Sequence, residues 1–196
     1  MRHRLLRPSR STTRLQRGIS LIMVLLFLVI LTLAGVAASI SSRSSELMAR
    51  NARDENIALQ AAESALRDAR NDIMKKRLLK GLTGASDTCD TPGYKGYCTE
   101  PSSGQPRWQQ YIEDPARSVE LGEITELTAA QKMPTTATVQ SNGVWRQPRY
   151  IIEPTSDLNS GDDIKFNNIK YVFRVTAIGY GANPTTRVIV QEVVRL

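Results

Sequence analysis

Residues that could carry acid–base, nucleophilic or metal chemistry are scarce in this sequence. The one histidine, His3, lies in an arginine-rich stretch ahead of a long apolar run, so a histidine base or a Ser-His-Asp triad cannot be assembled after that run. Asp162 and Asp163 are adjacent acids that lack the regularly spaced oxygen ligands of a calcium loop. Gly179-x-Gly181 precedes no helical pattern and therefore indicates a turn, not a phosphate-binding loop. We expect no enzyme activity, no metal and no cofactor.

The two cysteines, Cys89 and Cys98, lie in a stretch rich in Gly, Thr and Pro. Two thiols without a nearby histidine make a poor zinc site. The topology derived below places them outside the cytoplasm, where thiols are oxidised. We therefore predict a Cys89–Cys98 disulfide, worth roughly 2–3 kcal/mol if it acts by restricting the unfolded chain. Two free thiols are the alternative.

Positive charge is concentrated at the N-terminus. The chain has a formal net charge of +7, and its first 18 residues contain six arginines and no acid. Without that stretch the net charge is about +1, so the basic patch that nucleic-acid binding requires is missing, and we expect no nucleic-acid partner. A basic flank before an apolar run is typical of a cytoplasmic N-terminus.

Residues Ile19 to Ile40 form an uncharged run of 22 residues. As an α-helix this run is about 33 Å long, enough to cross a hydrocarbon core of about 30 Å. A helix satisfies its own backbone hydrogen bonds in lipid, so we predict a transmembrane helix at 19–40 with residues 41–196 on the far side.

The helical pattern continues beyond the apolar run. The sequence contains no Pro or Gly between Ser41 and Lys80, and Gly81 follows a basic cluster that suits a helix end. Apolar residues recur every three or four positions, which predicts an amphipathic helix over 41–80 and one continuous helix over 19–80. The residues of this stripe are Met48, Ala52, Ala62, Ala65, Leu66, Ala69 and Ile73.

The remaining residues, 81–196, have room for one globular domain. Gly81–Gln105 is rich in turn formers, and Arg107–Tyr111 is a short helix or turn. Strand patterns occur at Arg149–Ile152, Lys170–Ile178 and Arg187–Val194, and the last two are separated by Gly179–Pro184. We predict an antiparallel hairpin over about 170–194.

The fold class follows from these elements. The apolar face of a small sheet must be covered, and the amphipathic half of the long helix is the available partner. We therefore predict an α+β arrangement: one long N-terminal helix, transmembrane and then amphipathic, packed on a small C-terminal antiparallel sheet.

The junction Arg17-Gly18-Ile19-Ser20-Leu21-Ile22-Met23 resembles the processing site of type IV prepilins. The resemblance implies that residues 1–18 are a leader, that a prepilin peptidase cleaves after Gly18, and that Ile19 becomes the N-methylated first residue. Phe is usual at that position, and Ile19 keeps its apolar character.

Met23 stands at the fifth mature position, where most pilins have Glu. In that family the Glu is thought to neutralise the terminal ammonium of a neighbouring subunit, and an unpaired ammonium in an apolar filament core costs several kcal/mol. Members without the Glu are minor subunits associated with the filament tip. The resemblance therefore implies a place at the tip.

Two further patches narrow the resemblance to PilX-type minor pilins. One comprises Met48–Asp54 and Ala58–Ala69, with the Asn-x-Arg-Asp and Gln-Ala-Ala-Glu-x-Ala-Leu-Arg sequences of that group, and the other is Gly179–Gln191. Asn51, Arg53, Asp54 and Glu63 within the first patch form either a solvated helix face or a contact between subunits, and both interpretations stay open.

What the resemblance implies is a structural subunit of a type IV pilus. It would span the inner membrane once, with its N-terminus in the cytoplasm, and then move to the pilus tip at the cell surface. Its partners would be prepilin peptidase, the major pilin and other minor pilins in a tip or priming complex, with a tip adhesin as a further candidate. Adhesion and twitching motility would depend on it.

Four alternatives remain at this point. A signal peptidase could cut after Ala38 to expose Ser39, although the apolar run exceeds the usual 7–15 residues of a signal-peptide core. The chain could be an unrelated bitopic protein, or an anchored periplasmic binding module. It could also be a GspK-like minor pseudopilin of a type II secretion system, although those proteins are typically larger.

Overall fold

The protein was analysed as a computed structural model that describes residues 19–139, 142–157 and 171–195. The predicted leader, 1–18, and the acid pair Asp162 and Asp163 lie outside the described residues. The elements in chain order are α1 (Ile19–Asn71), a π-helical turn (Asp72–Lys76), α2 (Arg107–Tyr111), β1 (Val119–Glu120), α3 (Thr136–Val139), β2 (Arg149–Ser156), β3 (Tyr171–Tyr180) and β4 (Arg187–Arg195).

Helix α1 is continuous from Ile19, as the absence of Pro and the single Gly35 in this range favour. Helical structure ends at Lys76 and not at the predicted Lys80. The last helical hydrogen bond runs from the Arg77 backbone N–H to the Asp72 carbonyl and is 3.0 Å long. The next residue, Leu78, has a left-handed backbone conformation (φ 50°). A left-handed residue cannot continue a right-handed helix, so the prediction was four residues too long.

The chain forms two units, with the boundary between Met48 and Ala49. In the first unit the described residues are helical, and the apolar side chains of 19–40 are exposed. The second unit holds the sheet, the remaining elements and every buried residue.

The four strands form one sheet in the order β1-β2-β3-β4, and each neighbouring pair is antiparallel. The hairpin predicted over about 170–194 is present: β3 and β4 pair from Val172 with Arg195 to Tyr180 with Arg187. β1 pairs with only two residues of β2.

Strand β2 continues past the predicted end at Ile152 and through Pro154 to Ser156. Pro lacks an N–H and is tolerated in a sheet only where that donor is not needed. β1 pairs only with Arg149 and Tyr150, so β2 is an edge strand at Pro154 with respect to the named strands. The strand therefore keeps its pairing with β3, where Pro154 lies opposite Phe173.

The helix α1 covers one face of the sheet, as predicted. Its buried face starts at Ala58, whereas Met48 and Ala52, both assigned to the stripe from sequence, are exposed. The main core cluster combines this helix face with the sheet and includes Ala65, Ala69, Ile73, Tyr97, Tyr150, Ile152, Phe173, Val175 and Ala177.

The opposite face of the sheet is covered as well. A second cluster packs a disulfide loop and the end of α2 against β2 and β3. It consists of Cys89, Cys98, Ile112, Ile151, Ile178 and Tyr180. The molecule is therefore an α+β fold in which the sheet lies between a helix and a loop layer.

Candidate functional site

The apolar segment 19–40 is the first candidate functional feature. Its helix is long and apolar enough to cross a membrane, with a mean hydropathy of 3.0 over its most apolar window. Its large side chains are exposed, for example Ile19 at 67% and Met23 at 53%. Such a continuous apolar surface is unfavourable in water and requires a bilayer or the apolar surfaces of other helices. The segment is thus suited to membrane anchoring.

The residues predicted for processing lie at the start of this helix. Ile19 is the first described residue and the first helical one, while Gly18 lies outside the described part of the chain. Met23 is one turn further along and exposed on the same helix. Cleavage, methylation and the role of Met23 stay predictions, because each concerns a reaction or a partner.

Asp54, from the PilX-like patch, fastens the helix to the end of the β3–β4 hairpin. Its carboxylate accepts backbone N–H groups from Ala182, at 2.5 Å, and from Asn183, at 3.3 Å. Charge-assisted bonds of this kind hold a turn in place. Asp54 therefore makes a structural contact within the chain, which is neither of the two interpretations left open for it, a solvated helix face or a contact between subunits.

Two glycines also lie at this contact between helix α1 and the β3–β4 hairpin. We call the contact the joint; it involves Asp54, Ala58 and Ala62 of the helix and Gly179, Gly181 and Ala182 of the hairpin. A Cβ on Gly179 would lie 2.0 Å from the Ala58 carbonyl oxygen and 2.4 Å from the Ala62 nitrogen, so only glycine lets β3 approach the helix backbone so closely. A Cβ on Gly181 would lie 2.5 Å from Asp54 Oδ1. Gly179 belongs to β3 and not to the predicted turn, which begins at Gly181. The PilX-like patches at the two ends of the chain thus meet.

Asp68 and Asp72 are buried polar residues that the sequence reasoning missed. Asp72 accepts bonds from Arg77 Nε at 2.7 Å and from the Tyr150 hydroxyl at 2.9 Å, with a second bond from the Arg77 guanidinium. Asp68 accepts the Gly122 N–H at 2.7 Å and the Thr125 hydroxyl. Asp68 lies three residues after the buried Ala65 and Asp72 lies seven residues after it, which places both acids on the buried face of the helix. This spacing is the signal in the sequence that could have revealed them.

Burial shifts the acidity of two of these buried carboxyls. Desolvation raises the pKa of Asp68 above its usual range, and the bonds from Gly122 and Thr125 oppose that shift only in part. Desolvation likewise raises the pKa of Glu153, against the attraction of Arg174. Arg174 Nε lies 3.2 Å from Glu153 Oε2. Both groups bond residues that lie on other parts of the fold, Asp68 to the loop after β1 and Glu153 to β3.

The disulfide predicted between Cys89 and Cys98 is present, with the two Cα atoms 4.6 Å apart. Both cysteines are fully buried in the second cluster. The loop is also fastened to β2, because the Cys98 N–H donates to the Ile152 carbonyl at 2.9 Å and the Ile152 N–H to the Gly96 carbonyl at 2.8 Å. The bridge therefore stabilises the layer that covers the second face of the sheet.

Within the described ranges no group of three or more His, Cys, Asp or Glu side chains is arranged to hold a metal. The geometry thus presents an exposed apolar helix, a fastened helix–hairpin joint and a disulfide-bonded covering loop.

A long N-terminal helix with an apolar first half, packed through its second half on an antiparallel sheet, defines the pilin-like class of α+β proteins. Sequence comparison then identifies the family. The PilX N-terminal family matches residues 17–67, and the family described as type IV pilus assembly protein PilX, C-terminal part, matches residues 94–196. Comparison with curated proteins and with solved structures gives no significant match.

The chain belongs to the PilX family of type IV pilus assembly proteins. This membership makes it a component of the pilus assembly machinery, in a family whose role is structural. The two matched ranges include both sides of the joint described above, Asp54 in the first and Gly179 and Gly181 in the second.

Proposed function

We propose that this protein is a minor pilin that primes or caps the type IV pilus. A prepilin peptidase would cleave after Gly18, and the new terminus at Ile19 would be N-methylated. The subunit would span the inner membrane once, with a cytoplasmic N-terminus, until the filament takes it up. Its partners would then be the major pilin and other minor pilins at the tip, where it would support adhesion and twitching motility.

Met23 within the exposed apolar helix is the observation that carries this proposal. A filament core built from such helices has a low dielectric, and each new terminal ammonium buried there needs a counter-charge. An exposed methionine offers apolar surface to neighbouring helices but no carboxylate to the terminus of another subunit. A subunit of this kind fits a position at the end of the filament, where it need not receive a further terminus.

Processing is tested by mass spectrometry of the N-terminal peptide from the mature protein. The expected terminus is N-methyl-Ile19. A mature terminus at Ser39 would contradict the proposal, because it would mean that a signal peptidase removes the helix on which assembly depends.

The priming role is tested by deletion of the gene. Assembly without a primer should be slow, so we expect few surface pili and reduced twitching, both restored by the wild-type copy. Filaments of normal number and length in the deletion strain would refute the role.

The importance of position 23 is tested with Met23→Glu and the control Leu26→Glu. Leu26 belongs to the same apolar run and has similar exposure, 51% against 53%. Glutamate at 23 should let further subunits dock, so the labelled protein should occur along the filament shaft instead of at its end. Immunogold labelling measures this distribution, and equal behaviour of the two variants would show that position 23 has no special role.

A further inference from the structure

A groove lies beside the joint between helix α1 and the β3–β4 hairpin. Its volume is about 620 Å³, and it is lined by Arg50, Arg53, Asp54 and Ile57 from the helix and by Ala182 and Asn183 from the hairpin end. All of these residues belong to the second unit of the chain. The groove is concave and lined by both polar and apolar groups, which suits a peptide segment with charged and apolar side chains.

The charged side chains that line this groove, Arg50, Arg53 and Asp54, sum to a net charge of +1. The Asp54 carboxylate is engaged by the backbone N–H groups of Ala182 and Asn183. The exposed Arg53 guanidinium donates to the side-chain oxygen of Asn142, an uncharged amide. Arg53 therefore keeps its full positive charge at the groove wall, with donors that can bind a carboxylate in a bidentate manner.

An exposed tryptophan, Trp145, is bonded through its backbone to the hairpin end that lines the groove. The backbone N–H of Trp145 donates to the backbone carbonyl of Gly181 at 2.7 Å, so the main chain at Trp145 is held at the hairpin end. Its ring contacts Tyr180 edge to face, with the ring centroids 6.2 Å apart, and Arg146 lies 4.9 Å from its centroid. Trp145 nevertheless remains 43% exposed.

Trp, Tyr and Arg are the residues most enriched at the energetic centres of protein interfaces. A side chain that its neighbours already hold loses little entropy when a partner covers it. Trp145 is held at the hairpin end that lines the groove, and Arg53 lies in the groove wall with a net positive charge around it. Together they mark this surface as a prepared binding site.

We propose that Arg53, Ile57, Trp145 and Asn183, here called the groove surface, bind an acidic segment of another pilin subunit. A carboxylate of that segment pairs with Arg53, and an adjoining apolar side chain covers Ile57 and Trp145. The proposal rests on the assembly role above and specifies which face of the globular unit contacts a neighbour. A flat bilayer surface does not fill a concave groove, which favours a protein segment over an anionic lipid.

The test uses the full chain in cells that also express the other prepilins of its pilus system. A photo-crosslinking residue, benzoylphenylalanine, replaces Trp145 or, as a control of similar exposure, Leu82 (52%). Crosslinked peptides are mapped by mass spectrometry. We expect position 145, and not position 82, to give an adduct with a segment of another prepilin that contains at least two acidic residues.

A charge reversal then tests the chemistry. Arg53→Glu should lower the yield of this adduct about tenfold, since attraction becomes repulsion. Arg67→Glu is the matched control, because Arg67 lies on the same helix, is exposed and pairs with Glu63 at 3.8 Å; it should leave the yield unchanged. A lysine in place of the mapped acid of the partner should restore the adduct with Arg53→Glu. If Arg53→Glu does not fold, Arg53→Gln, which keeps a donor to Asn142, takes its place.

Three results would overturn the proposal: a phospholipid adduct at position 145, a yield no greater than at position 82, or equal yields from Arg53→Glu and Arg67→Glu. These results are separable from failure of the assembly role. If deletion of the gene abolishes piliation while position 145 behaves like position 82, the groove surface fails and the assembly role stands. Normal piliation after deletion refutes the role whichever adduct forms.

Discussion

Gly179 lies in β3 at a point where the strand backbone comes very close to the backbone of helix α1. Gly179→Ala would place a Cβ 2.0 Å from the Ala58 carbonyl oxygen, and backbone on both sides leaves no side chain that could move away. We expect the free energy of unfolding to fall by about 3 kcal/mol, at the upper end of overpacking costs. Urea unfolding of the detergent-solubilised chain measures this change.

The control for that substitution is Gly93→Ala. Gly93 has no heavy atom within 4 Å of an added Cβ, and only its φ of +79° opposes a side chain. Its cost should stay near 1 kcal/mol, the strain of a left-handed residue. If both variants lose the same stability, the close approach of strand and helix is not the cause.

Asp68 should make stability depend on pH in the direction opposite to that of most carboxylates. Burial raises its pKa in the folded state above the value of 3.8 for an ordinary aspartate. The folded state therefore holds this proton to higher pH than the unfolded state does. The contribution is fully present below the unfolded pKa and is lost as the pH rises through the folded pKa.

Asp68→Asn removes this titration. Its amide oxygen can still accept the Gly122 N–H, and its amide NH2 can donate to the Thr125 hydroxyl, which is able to act as an acceptor. The stability of the wild type relative to Asp68→Asn should therefore fall as the pH rises from 3 to 7. Urea unfolding across this range measures the difference, and Asp90→Asn, at an exposed aspartate, controls for the loss of one charge. A difference that rises with pH would contradict the expected direction.

The same acids show how far sequence reasoning reaches at the scale of residues. The Cys89–Cys98 bridge followed from redox compartment and loop composition. The contacts of Asp54, Asp68 and Asp72 did not, because their tertiary partners are distant in sequence. These partners lie 128 and 129 residues from Asp54, 54 and 57 residues from Asp68, and 78 residues from Asp72 in the case of Tyr150. Local pattern assigns a charged helical residue to water, and only tertiary contacts reverse that assignment.

At the scale of elements, regular sequence patterns correctly predicted the regular helices and strands. The long helix and the β3–β4 hairpin follow from residue spacing and turn formers. The end of the helix at Lys76 depends on the π-helical turn and on Arg77, which is held by Asp72 and by the Lys95 carbonyl at 2.8 Å. The covered second face depends on an irregular loop. Neither has a repeating pattern that a sequence could display.

The covering loop gives a prediction for its disulfide. Replacement of both Cys89 and Cys98 by Ser should lower the free energy of unfolding by about 2–3 kcal/mol, because the unfolded chain gains the freedom of the opened loop. Thermal unfolding followed by near-UV circular dichroism measures the loss. A reductant should lower the melting temperature of the wild type and leave that of the double variant unchanged; a shift in both would point to another effect of the reductant.

At the scale of the whole molecule, the division at Met48 and Ala49 separates apolar exposure from burial. Among the residues that the structure describes, those that are buried all lie at or after Ala58, so a chain that starts at Ala49 keeps both core clusters and Asp54. We expect this fragment to be soluble, monomeric and cooperatively folded. Size-exclusion chromatography and urea unfolding check this, and a fragment that aggregates or unfolds without cooperativity would show that 19–48 supports the fold.

The joint between α1 and the hairpin also sets the order in which the chain can fold. Asp54 bonds Ala182, which follows it by 128 residues, and Arg70 bonds Glu192, which follows it by 122 residues. Contacts of such high sequence separation form late, because a large loop must close first. The alanine face of the helix therefore remains open to proteases until β4 has been synthesised and has paired. We expect a chain that is cut short before its final strand to be degraded.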